Sequence, residues 1–238
     1  MVRYLVQLDD AQEELLLPLL EALAVSFQRL PAPLPQKDHY SVEEITAFVD
    51  TFPEGFRWTV SAIDDYLPKA LKVGIQLIQN ELFIMPAPTP QHQRICEELG
   101  FQFGYFLRQQ KTGRVLYAPV DVVFDENNLR QPDIIVILME NYAIMESKRI
   151  VGAPDLIVEI WSAGNPAQEQ AQKQALYATH KVNEYWQVFP DSRYVRVEVL
   201  DDTTGNFRLF SEAREKGVVN SQLLSGFSLA IEDLFTHP

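Results

Sequence analysis

Two hydrophobic patterns run along this chain and change over near residue 70. In the first part apolar positions recur at helical intervals. Leu15, Leu16, Leu19, Leu20 and Leu23 fall three and four apart, which predicts a helix over residues 10–30 capped by Asp9 or Asp10. Arg3–Leu8 ahead of it reads as a strand. Three prolines within residues 31–35 then break the pattern and mark a linker or extended crossover. Ser41 and Glu44 have the spacing at which each side chain satisfies the other's backbone N–H, so a short helix should open there and run through Phe48.

Beyond residue 70 the runs shorten and become strand-like. Residues 73–85 predict two strands meeting at Gln79 and Asn80, a hairpin turn. Thr89 and Pro90 lead into a helix with Ile95, Leu99, Phe103, Phe106 and Leu107 along one face. Residues 114–125 read as one strand, and residues 131–139 and 153–162 as strands buried on both faces. A helix is expected over 166–180, with Leu176 and Tyr177 facing inward, then a strand pair turning around residues 190–192. Strand-like residues 206–210 and the segment 227–235 close the chain. Helices alternating with a central, partly parallel sheet indicate an α/β domain.

Composition narrows the function. With 47% apolar residues a full core is available to the chain. The single cysteine, Cys96, excludes an intramolecular disulfide and a zinc site built on several cysteines. His39, His92, His180 and His237 are scattered, which argues against a histidine cage. No apolar stretch approaches the ~20 residues of a membrane span. The acidic start does not resemble a signal peptide, so the expected setting is soluble and cytoplasmic. A net charge of −13 weighs against non-specific attraction to phosphate backbones.

Acids inside apolar strands are the candidate chemistry. Asp133 opens the run 133–138, and Glu159 sits inside 156–161. An ionised carboxylate there costs several kcal/mol unless it is partnered. A hard divalent cation such as Mg²⁺ is one partner, and a lysine or arginine is the other. Asp155 has a milder explanation, as the start of a strand. Lys173 lies on the helix after the Glu159 strand, sharing a face with Glu169 and with Tyr177. It is either a surface ion pair with Glu169 or a cation that serves at a scissile phosphate.

The segments 77–85, 86–95, 131–137, 153–162 and 173–188, in that order, resemble the Uma-two family of restriction-endonuclease-like proteins. That family is placed in the PD-(D/E)XK nuclease superfamily. The resemblance implies a mixed central β-sheet flanked by helices over residues 37–238. Residues 1–36 would then be a strand-helix extension with its proline-rich linker. It also implies that Asp133 and Glu159 are the metal ligands for Mg²⁺ or Mn²⁺. Trp161 stands where the superfamily lysine normally falls, and Lys173 occupies the migrated position on the next helix. Gln76, His92, Ser162, Glu169 and Tyr177 match supporting positions. Ser162 would cap the helix or bond a ligand, and His92 would contact substrate or serve in capping and packing. Tyr185 and Trp186 are expected in the core. The chain departs from the family pattern at Gln76, where a glutamate is usual, and at Asn80, Glu169 and Phe189.

The implied activity is metal-dependent endonucleolytic hydrolysis of DNA. Arg94, Arg108, Lys111, Arg114, Lys148 and Arg149 are the local cations available to the partner. Cutting both strands takes two sites, so a homodimer is admitted. The alternative is a non-catalytic binding or regulatory protein that keeps the fold, supported by Gln76 and the acidity.

Overall fold

The computed structural model describes residues 10–23, 30–35, 40–68, 74–85, 88–162 and 167–235. The expected strand at 3–8 and the expected boundary at 36/37 lie outside them. Helix α1 covers Asp10–Ala22 and contains Pro18, and Leu23 is already in a turn. Leu15, Leu19 and Leu23 are exposed, so the helical spacing there does not mark a core face.

Helix α2 (Val42–Val49) has the expected capping box: Glu44 N donates to Ser41 Oγ, and Ser41 N to the Glu44 carboxylate. Helix α3 (Val60–Tyr66), capped by Thr59, gave no signal in the pattern. Together with Phe52, Trp58 and Leu67, Val60 packs against β1 (Gly74–Ile78). β1 pairs antiparallel with β2 (Glu81–Met85). Their turn puts Gln79 and Asn80 at positive φ, 48° and 72°, a two-residue turn whose twist matches the strands and in which asparagine is tolerated. The Asn80 amide also bonds Trp58 O and Asn127 Oδ1.

Helix α4 (Pro90–Gln110) is capped by Thr89 and ends at Lys111 in the left-handed conformation. Residues 114–125 are not one strand. They split into β3 (Gly113–Tyr117) and β4 (Val122–Asp125), which join different sheets. Pro119 has no N–H to continue a ladder, and the chain leaves one sheet for the other around it. The remaining elements are β5 (Asn128–Arg130), β6 (Ile134–Leu138), a 3-10 turn (Met139–Ile144) and β7 (Ile150–Val151). They continue with β8 (Leu156–Ile160), α5 (Ala167–Thr179), β9 (Glu184–Phe189), β10 (Tyr194–Asp201) and β11 (Asn206–Arg214). β12 (Val218–Asn220), β13 (Ser228–Ala230) and α6 (Glu232–Phe235) close the described chain.

The central sheet has six strands in the order β11-β10-β9-β8-β6-β3, with β8 and β9 parallel and the other pairs antiparallel. A smaller sheet runs β2-β1-β5-β4-β7. The mixed α/β architecture agrees with the expectation. α4 lays Ile95, Leu99, Phe103 and Leu107 on one face of the central sheet, against Ile134, Leu156, Val158, Ile160 and Trp186. α5 makes the crossover between the parallel strands and covers the opposite face, where Ile135, Ile157, Tyr177, Val182 and Tyr185 meet Val122 and Phe124 of the smaller sheet. Tyr185 and Trp186 are both fully buried, as expected. No helix among the described residues is long and apolar enough to cross a membrane.

Candidate metal centre

Strand alternation decides which way Glu159 points. Leu156, Val158 and Ile160 face the α4 side, so Glu159, like Ile157, faces α5. Ile134 of β6 pairs with Val158 of β8 in antiparallel register. One step further, Asp133 stands opposite Glu159. Asp133 Oδ2 accepts a 2.7 Å hydrogen bond from Ile160 N, which ties the acid to the neighbouring strand.

α5 supplies two partners from one face, since Lys173 and Tyr177 are a helical turn apart. Lys173 Nζ donates to Glu159 Oε2 at 2.8 Å, and Tyr177 Oη donates to Glu159 Oε1 at 2.5 Å. Lys173 is 4% exposed, and Glu169 Oε1 lies farther off at 3.9 Å. The pair of Glu169 with Lys173 exists, but not as a surface pair: the ammonium is drawn inward to Glu159. It also lies 5.0 Å from the centroid of the Trp161 ring, a cation–π contact. Burial raises the Glu159 carboxyl above its ordinary value, and Lys173 opposes that shift. Burial also raises the Tyr177 hydroxyl well above its ordinary range, helped by the Glu159 charge, so it remains a donor.

His92, on the first turn of α4, places Nε2 3.1 Å from Asp133 Oδ1. Its backbone N–H bonds the Thr89 hydroxyl, so the expected N-terminal capping belongs to Thr89 rather than to the imidazole. Burial works against the imidazolium, but the hydrogen bond and charge of Asp133, with the charge of Glu159, outweigh it and raise the pKa. Cys96, one turn on, sets Sγ 3.7 Å from His92 Nδ1. Burial and the two carboxylates push the Cys96 thiol up to about 12, so it stays protonated.

Among the described residues, His92, Cys96 and Asp133 form the one group of three or more His, Cys, Asp and Glu side chains with ligand atoms all within 4.8 Å of one another. Glu159 is not in that group. The cluster mixes residue types, which is why counting cysteines or histidines alone did not reveal it. Its trace in the sequence is the four-residue spacing of His92 and Cys96.

Gln76 on β1 is buried, and its Oε1 accepts a 3.3 Å bond from Arg130 Nη1. Arg130 is 1% exposed, its Nε has no partner among the described residues, and it lies within electrostatic reach of Tyr177, Glu159 and Glu169. Nothing in the apolar pattern singles out this arginine, three residues before Asp133. Ser162 is exposed just past β8, and residues 163–166, between it and the described start of α5 at Ala167, lie outside the described residues, as does its expected capping role. Asp155 has the milder role expected: its Oδ2 accepts from Leu138 N at 2.8 Å and Asn141 Nδ2 at 3.2 Å.

Residues 64–232 match the family model described as "Uma2: Putative restriction endonuclease". The chain belongs to the Uma2 family. That places it in the PD-(D/E)XK superfamily. A solved structure titled a "putative nuclease belonging to DUF820", from Anabaena variabilis, matches with a TM-score of 0.57 at 21% identity. The match covers 68% of this chain and 89% of that one, a likeness of fold. No curated protein matches the sequence. The elements β6, β8, α5 and β9, which carry or adjoin Asp133, Glu159, Lys173 and Glu184, lie wholly inside the matched region.

Proposed function

We propose that the protein is a metal-dependent nuclease hydrolysing DNA phosphodiester bonds, with Asp133 and Glu159 holding Mg²⁺ or Mn²⁺ and Lys173 acting beside them. The observation that carries this reading is Glu159, a carboxylate buried in a central strand, opposite Asp133 and 2.8 Å from a buried lysine. The donor chemistry fits a divalent ion. A carboxylate offers about four lone-pair sites. Glu159 uses two, for Lys173 and Tyr177, and Asp133 uses two, for Ile160 and His92. Both retain capacity for a cation.

A bound divalent ion supplies Lewis-acid charge at the phosphate and eases deprotonation of a water. The chain's own residues do the rest. Ile160 N–H fixes the rotation of the Asp133 carboxylate. Tyr177 fixes that of Glu159, and the Lys173 ammonium opposes the upward shift that burial gives its carboxyl. The Lys173 ammonium is the cation nearest the acids for charge developing on the phosphate. Gln76 contributes a polar amide without charge, held by Arg130. Arg94, Arg108, Lys111, Arg114 and Lys148 are exposed and would supply the local cations for DNA; Arg149 bonds Asp64 at 2.8 Å. Two-strand cleavage by a homodimer belongs to the same proposal, as does a cytoplasmic setting.

Supercoiled plasmid incubated with Mg²⁺ or Mn²⁺ tests the reading. Nicking is expected from the native chain and should vanish in Asp133→Ala and Glu159→Ala. Equal nicking by these variants would overturn it. The second reading, a non-catalytic protein on the same fold, is favoured by the donors already engaging all four oxygens of the two acids. It expects DNA or protein binding that is indifferent to Asp133→Ala, with no cleavage.

A further inference from the structure

We infer that His92 Nε2 is a metal ligand together with Asp133, and that this nitrogen makes the centre select a first-row transition ion, Mn²⁺ or a later one, over Mg²⁺. The inference rests on the proposed role of Asp133 as a ligand and goes beyond it in donor set and ion identity. The distance from His92 Nε2 to Asp133 Oδ1 is 3.1 Å. Two neighbouring ligands on an octahedral ion with bonds of about 2.1 Å lie about 3 Å apart, so both atoms already stand at the spacing of one shared coordination edge. The ring is held there by its backbone, on a helix turn capped by Thr89.

The far side of the ring is also arranged. For Nε2 to present its lone pair, the metal must displace the proton through which Nε2 bonds Asp133 Oδ1; the remaining ring proton then sits on Nδ1, and a partner for that N–H fixes the tautomer. Cys96 Sγ lies 3.7 Å from Nδ1 and is the group in place to accept it. Mg²⁺ prefers an all-oxygen shell, whereas imidazole nitrogen favours transition ions. The three ligand side chains that come within 4.8 Å of one another among the described residues are His92, Cys96 and Asp133, not an all-carboxylate set.

Binding of Mn²⁺ to the full chain is read by loss of the free-ion electron paramagnetic resonance signal, and Mg²⁺ by competition. Pulsed measurements then look for nitrogen coupling to bound Mn²⁺. The expected results are preference for Mn²⁺, an imidazole nitrogen coupling in the native protein, and its disappearance in His92→Ala. Mn²⁺ affinity should fall about tenfold or more in that variant, with Mg²⁺ affinity little changed. Binding that needs Asp133 but shows no nitrogen coupling and no effect of His92→Ala would overturn the His92 inference and leave the metal-dependent reading standing. Absence of any Asp133-dependent binding of either ion would overturn both. The coupling is measured on the native chain, so the outcome stands even if a variant misfolds.

Discussion

Glu159 and Glu184 are buried glutamates on adjacent parallel strands, 4% and 0% exposed, and they are satisfied in opposite ways. Glu184 accepts four bonds, all from neutral donors: Trp186 Nε1, Ser221 Oγ, Gln222 N and Leu223 N. Its lone-pair capacity is filled, and the result is a loop pinned to the sheet. Glu159 accepts two, one of them from an ammonium, and faces a second acid. A saturated carboxylate is structural; one with spare sites, a charged neighbour and a raised pKa is equipped to bind something further. The difference lies in the partners, since both acids are buried in strands of the central sheet.

Glu184→Ala strands four donors at ~1–3 kcal/mol each, so urea unfolding should show a loss of at least about 4 kcal/mol with no effect on metal binding. A loss under about 1 kcal/mol would show that the carboxylate does not hold the loop. Lys173→Met should cost about 3 kcal/mol by leaving Glu159 unpaired, and Glu159→Leu combined with it should recover most of that. If the double variant is no more stable than the single one, the pair is not an isolated buried ion pair. Tyr177→Phe removes one hydrogen bond of the Glu159 site and should cost about 1 kcal/mol, while lowering metal affinity measurably.

The smallest effect is in pH dependence. In chelator-treated protein, the His92 pKa is raised above its ordinary value by Asp133 and Glu159 against burial. Its contribution to stability is therefore fully present below the unfolded value and is lost as pH rises through the folded one. Native protein and His92→Gln should differ most in acid and converge above the folded pKa. Proton NMR of the imidazole gives that pKa directly, and a value below about 6.5 would contradict the raised direction.

Much of the fold was legible because its signals are local. The Ser41–Glu44 box, the Gln79–Asn80 turn, the Thr89 cap and the buried runs of β6 and β8 each depend on residues within a few positions of one another. The short elements α3, β5 and β7 left no period to read. Residues 114–125 looked like one strand because strand-favouring apolar residues stand on both sides of Pro119, while pairing with two different sheets is a long-range matter.

The site divides the same way. The chain's own pattern shows that a carboxylate at Asp133 or Glu159 is costly within an apolar run and that Lys173 and Tyr177 share a helix face. Tertiary structure decided that the lysine turns inward to Glu159 rather than outward to Glu169. It also brought His92 and Cys96 to Asp133 and slid Arg130 beneath Gln76. Those contacts join elements far apart in the chain, and their geometry follows from strand register and helix placement, which no short-range pattern encodes.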